Sequence, residues 1–105
     1  MKIELLYFDG CPGWQEALKN LKAALAVESP EAEIHLVKVE DNARAASLKF
    51  LGSPSFRING QELWPEERQR YNLSCRVYLT SKGLKSYPTV EMLRERLRAM
   101  NSTKN

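Results

Sequence analysis

The first 39 residues constrain this chain more than any others, because they read as strand, helix and strand with little room between. Ile3-Glu4-Leu5-Leu6-Tyr7-Phe8 is a run of strand-forming residues that breaks at Asp9-Gly10. From Pro12 to about Val27, Trp14, Leu18, Leu21 and Leu25 recur at helical spacing, and Ala17 and Ala24 widen the stripe. Ser29-Pro30 stops that helix, and Ile34-His35-Leu36-Val37-Lys38-Val39 supplies a second strand. Two strands joined by a helix lie parallel in one sheet with a right-handed crossover.

Further along, Asp41 is an N-cap for a short helix from Asn42 to Leu51, with Gly52 suited to the C′ position. Ser55-Phe56-Arg57-Ile58 reads as a third strand. Asn59-Gly60 is then a tight turn, with Gln61 to Trp64 a short paired arm. Pro65 to Ser74 is a charged connection without a period. Arg76-Val77-Tyr78-Leu79 is expected as the fourth strand, antiparallel to 55–58. Ser81-Lys82-Gly83 turns, and Thr89 caps a last helix whose Val90, Leu93, Leu97 and Met100 face the core.

The expected fold is therefore α/β, β-α-β-α-β-β-α, with a mixed four-stranded sheet and helices on both faces. The first and last helices share one face and the middle helix takes the other. One domain spans 1–100, and 101–105 form a disordered tail.

Composition narrows the function. With 43% hydrophobic and 28% charged residues, the balance is that of a soluble globular chain. No apolar run approaches the ~18 residues of a membrane span. The Met1-Lys2 start lacks a secretory apolar region, so a cytoplasmic protein without membrane contact is expected. The net charge of +3 is small. The late basic residues, such as Arg68, Arg94 and Arg96, are interleaved with Glu66, Glu91 and Glu95, so a nucleic-acid surface is not expected. Two cysteines and one histidine cannot build a disulfide framework or a structural zinc site. His35 reads as a half-exposed strand residue, and no resident metal is expected.

The chemistry concentrates at Cys11, at the junction between the first strand and its helix. The free backbone N–H groups of a helix's first turn and the helix dipole favour a thiolate there. Asp9 opposes it through like charge. Pro12 suits the first helical position, where its missing N–H costs nothing. Trp14 stands three residues after Cys11, so the second cysteine of a C-x-x-C pair is absent. Trp14 either begins the core stripe or covers the thiol.

Phe8-Asp9-Gly10-Cys11-Pro12-Gly13-Trp14 and Gly52-Ser53-Pro54-Ser55, in this element order, resemble the thioredoxin-like superfamily over essentially residues 2–100. The chain also resembles a group of small bacterial thioredoxin-like proteins with a GCP…GSP…SCR.Y pattern, some labelled alkylmercury lyase. The resemblance implies that Cys11 is the nucleophile and that the Ser53–Pro54 bond is cis, with the proline packed near the Cys11 sulfur. It also implies that the Ser53 backbone is open to pair with a passing peptide or glutathione strand.

Cys75 begins the expected fourth strand, and that pairing places it roughly 15 Å from Cys11. A disulfide needs Cα atoms within ~7 Å. Cys75 is accordingly expected to be a buried structural cysteine, with a resolving role only if the long connection alters the pairing. The expected activity is monothiol exchange. Cys11 attacks a small-molecule or protein disulfide, and an external thiol such as glutathione, the only co-substrate expected, resolves the mixed disulfide. A monomer is expected. The alternatives are a non-catalytic binding module on the same fold, and soft-metal, mercury-type capture by the thiol.

Overall fold

A computed structural model describes residues 1–102 of the chain. β1 (Lys2–Tyr7), α1 (Trp14–Glu28) and β2 (Glu33–Lys38) form the anticipated unit, with β1 and β2 parallel. α2 (Asn42–Leu48), β3 (Ser55–Ile58) and β4 (Gln61–Glu62) follow, then a separate hairpin of β5 (Tyr78–Thr80) and β6 (Gly83–Lys85), and finally α3 (Val90–Ser102). The main sheet has the order β2-β1-β3-β4, and β3 is antiparallel to both of its neighbours.

Strand alternation decides the layers. Ile3 and Leu5 on β1 point to the same face as their cross-strand partners Ile58 and Phe56. There they pack with Leu21 and Leu25 of α1 and Leu93 and Leu97 of α3. Leu6 points the opposite way and meets Val39, Ala45 and Phe50. Thus α1 and α3 share one face and α2 covers the other, as the stripes imply. Fully burying each such leucine contributes about 1.5–3 kcal/mol, which makes these stripes the main determinant of the layering.

Ion pairs from Arg94 (2.9 Å) and Arg98 (3.3 Å) to Glu28 join α3 to α1. Thr89 caps α3 by accepting from the Met92 N–H, and Asp41 caps α2 by accepting from the Arg44 N–H.

The sequence expectations need four corrections. α1 begins at Trp14, not at Pro12, because Gly13 takes a left-handed conformation (φ 98°) that a helix interior does not use. A Cβ on Gly13 would lie 2.8 Å from the Ser86 carbonyl oxygen, so the close approach of the α3 entry loop also demands glycine.

α2 stops at Leu48, three residues early. Lys49 adopts the left-handed cap, and Arg57 donates to the Leu48 and Lys49 carbonyls (2.5 and 3.0 Å), satisfying groups that another helical turn would have used.

The fourth strand of the sheet is Gln61–Glu62, not 76–79. Asn59 and Gly60 both have positive φ, as a two-residue hairpin turn requires, and they deliver Gln61 directly opposite Ile58. So short a closure costs little entropy and fills the edge of β3 before a distant segment can reach it. Finally, the backbone of 101–102 continues α3. The rest of the anticipated tail, 103–105, lies outside the described residues.

Candidate functional site

The turn after β1 carries Cys11, whose N–H donates back to the Phe8 carbonyl (3.3 Å). The residue is only 1% exposed. Gly13, the N-cap of α1, contributes no side-chain cap, so the first-turn N–H groups next to the Cys11 loop receive no side-chain acceptor there. Asp9, the like charge that opposes a thiolate, pairs with Lys38 at 2.8 Å. That hydrogen bond raises the Lys38 pKa and offsets the Asp9 charge.

The Gly52-Ser53-Pro54-Ser55 loop faces this turn. Its Ser53–Pro54 bond is cis, as the resemblance implies. Ser53 and Pro54 are buried. The Ser53 hydroxyl accepts from the Phe8 N–H at 3.3 Å, and the Ser53 carbonyl oxygen lies 3.5 Å from Cys11 Sγ. The loop and the cysteine turn are therefore joined through Ser53.

Three expectations fail here. The Ser53 backbone is not open: its N–H donates to the Ser74 carbonyl (2.8 Å), and its carbonyl accepts from the Arg76 N–H (2.9 Å). These bonds form a parallel bridge between Ser53 and Cys75. The chain's own 74–76 segment thus occupies the backbone groups anticipated for a partner strand. Gly52 (φ 113°) permits the approach, since a Cβ there would meet the Arg76 Cβ at 3.0 Å.

The second failure follows from the first. Cys75 is not about 15 Å away and not buried. It forms a disulfide with Cys11 at a Cα–Cα distance of 5.7 Å and is an exposed residue. The expectation that Cys11 forms no intramolecular disulfide is overturned as well. The error lay in pairing 76–79 with β3, because the true contact of this segment is one parallel bridge to the residue before Pro54.

Several interactions pin the segment that carries Cys75. Leu73 packs against the α2-side core, and its N–H donates to Asn42 Oδ1 at 2.9 Å. The largely buried Arg76 donates to the Trp64 carbonyl (2.6 Å), pairs with Glu66 at 3.7 Å, and lies 5.4 Å from the centroid of the Tyr78 ring. The Tyr78 hydroxyl donates to the Pro54 carbonyl. Burial pushes the phenol pKa well above its ordinary value, which keeps that donor proton in place.

Glu62 pairs with Arg57 at 2.5 Å. Burial raises its pKa more than Arg57 and Arg76 lower it. Its Oε1 stands 4.0 Å from Arg76 Nη1, too far for a hydrogen bond, and both atoms are buried without a partner among the described residues. Nothing in the local pattern around Glu62, Arg76 or Tyr78 marks them as site supports. Only their convergence in space does.

Of the other site residues, Pro12 is exposed in front of α1. Trp14 is half-buried and stacked on Tyr7, with centroids 4.1 Å apart. Its ring contact is thus with β1. His35 is 45% exposed and lies 3.3 Å from Glu33. Among the described residues, no group of three or more His, Cys, Asp or Glu is placed to hold a metal ion, and no helix is long and apolar enough to cross a membrane. Beside the disulfide is an open groove of about 400 Å³, lined in part by Cys75, Val77, Leu79, Met92 and Trp64. Comparison with protein-family models, curated proteins and solved structures returned no match to this chain.

Proposed function

We propose that the protein carries out thiol–disulfide exchange through the Cys11–Cys75 pair, as a member of the thioredoxin-like superfamily. The observation that carries this reading is the pairing of a buried cysteine with an exposed one at the mouth of a groove, beside the cis-proline loop. A covalent cross-link intended only to hold a core together has no need of an accessible end. Accessibility is, however, what exchange requires.

The single-thiol scheme is replaced by a two-thiol one. In the reduced protein, one thiolate attacks a substrate disulfide and expels one substrate thiol. The other thiolate then attacks the mixed disulfide, closing Cys11–Cys75 and releasing the second substrate thiol. Two electrons pass to the substrate, and an external thiol such as glutathione restores the dithiol. In a reducing compartment such as the cytoplasm the pair rests as the dithiol, and the disulfide is the transient state.

The competing reading is a binding module in which the same bond is a structural staple, favoured by the burial of Cys11. A redox titration of the folded protein in glutathione buffers separates the two, with free thiols trapped by alkylation and counted by mass. Exchange predicts that two thiols appear together and reversibly, and that the protein accelerates reduction of a disulfide probe. A bond that withstands the thiol until denaturant is added would establish the staple.

A further inference from the structure

Resting on the exchange reading, we infer that the sulfur which exchanges with substrate is that of Cys75, and that Cys11, despite its place before the first helix, is the resolving thiol. Exchange proceeds by attack of a thiolate on a disulfide sulfur, so the reacting sulfur must be reachable from solvent. Cys11 is 1% exposed, closed in by the Phe8–Gly13 turn and by Ser53. Cys75 is an exposed residue and lines the open groove together with Val77, Leu79 and Met92. Cys11 is not among the residues lining that groove.

Leaving-group chemistry points the same way. When an incoming thiolate bonds to Cys75 Sγ, the Cys11–Cys75 bond breaks and its electron pair goes to Cys11 Sγ. That sulfur lies just before α1, whose first turn lacks a side-chain cap, and its like-charge neighbour Asp9 is paired with Lys38. A stabilised thiolate is the better leaving group. Attack at Cys11 would instead have to reach the buried sulfur and expel Cys75, which sits on an irregular segment.

The balanced cycle follows. One glutathione thiolate attacks Cys75, giving a Cys75–glutathione mixed disulfide and the Cys11 thiolate. A second glutathione attacks the glutathione sulfur of that mixed disulfide, forming oxidised glutathione and the Cys75 thiolate, and both cysteines take up protons. In the opposite direction, Cys75 thiolate attacks the substrate disulfide and Cys11 closes the intramolecular bond. The helix field then assists resolution and release, not the first attack.

The test begins with the oxidised wild-type chain, which needs no variant to fold. It is mixed with reduced glutathione, quenched with acid in the first turnover, and mapped by peptide mass. The expected adduct is on Cys75, in at least about ten-fold excess over Cys11. In parallel, Cys11→Ser and Cys75→Ser, each checked for native circular dichroism, are treated with oxidised glutathione. The variant retaining Cys75 should form its mixed disulfide at least about ten times faster than the variant retaining Cys11. An adduct mainly on Cys11, or equal rates in the two folded variants, overturns the assignment while leaving exchange itself standing. A folded wild-type protein that never exchanges with glutathione overturns both.

Discussion

Reducing the Cys11–Cys75 bond tests how far the fold depends on the same link that is proposed to turn over. The bond closes a loop with a sequence separation of 64 residues. The chain-entropy relation for a loop of that length gives about 4 kcal/mol of stabilisation at 25 °C, lost from the native state's advantage when the bond opens. A domain of this size is stable by roughly 5–15 kcal/mol, so the reduced protein is expected to remain folded with a reduced margin.

The assay is urea unfolding followed by circular dichroism, with the oxidised and fully reduced proteins compared under otherwise identical conditions. At a slope of about 2 kcal/mol per molar urea, the midpoint should fall by roughly 2 M on reduction. Hydrogen exchange should localise the first loss of protection to the Ser53 and Arg76 amides, which bond across the segment that the disulfide closes. A midpoint shift below about 0.5 M would refute the loop-closure reasoning and show that the cross-link adds little to the stability of the folded chain. A reduced protein without a cooperative transition would strike at the function, because an exchange cycle needs two folded redox states.

Three other substitutions probe the supports. Gly13→Ala should destabilise the protein by about 1–3 kcal/mol in thermal unfolding, because alanine must adopt φ 98° and meet the Ser86 carbonyl; an unchanged melting temperature would contradict the close approach. Tyr78→Phe leaves the buried Pro54 carbonyl without its donor and should cost about 1–3 kcal/mol by urea unfolding, with adduct formation at the disulfide slowed less than stability is lost. Because burial raises the Glu62 pKa above 4.5, the folded state favours its protonated form; the resulting stability is complete below the unfolded-state value and lost as pH rises through the higher folded-state value. Wild-type urea midpoints should therefore fall relative to those of Glu62→Gln as pH rises from below 4.5 toward neutrality, and a gap that moves the opposite way would show that the Arg57 and Arg76 charges outweigh burial.

Residues 3–39 determined a parallel β-α-β unit through periodicity alone, since strand alternation and the 3.6-residue stripe are local properties that survive without knowledge of the rest. The caps at Asp41 and Thr89 and the Asn59-Gly60 turn were legible for the same reason: each is a short-range bond or a φ requirement written in a few adjacent residues. Cys11 was legible as a candidate site because it stands at a strand-to-helix junction, and the cis bond at Pro54 because its loop resembles a known one. Cys75 was not. Its position depends on whether 74–76 lies against β3 or bridges to Ser53, and that choice turns on contacts from far along the chain. β4 claims the edge of β3, Leu73 anchors in the core beneath α2, Gly52 leaves room for Arg76, and Tyr78 bonds to Pro54. None of these leaves a periodic trace in residues 65–77. Only the tertiary structure decides that the two sulfurs meet, because the energy that brings them together is held in non-local packing and backbone pairing.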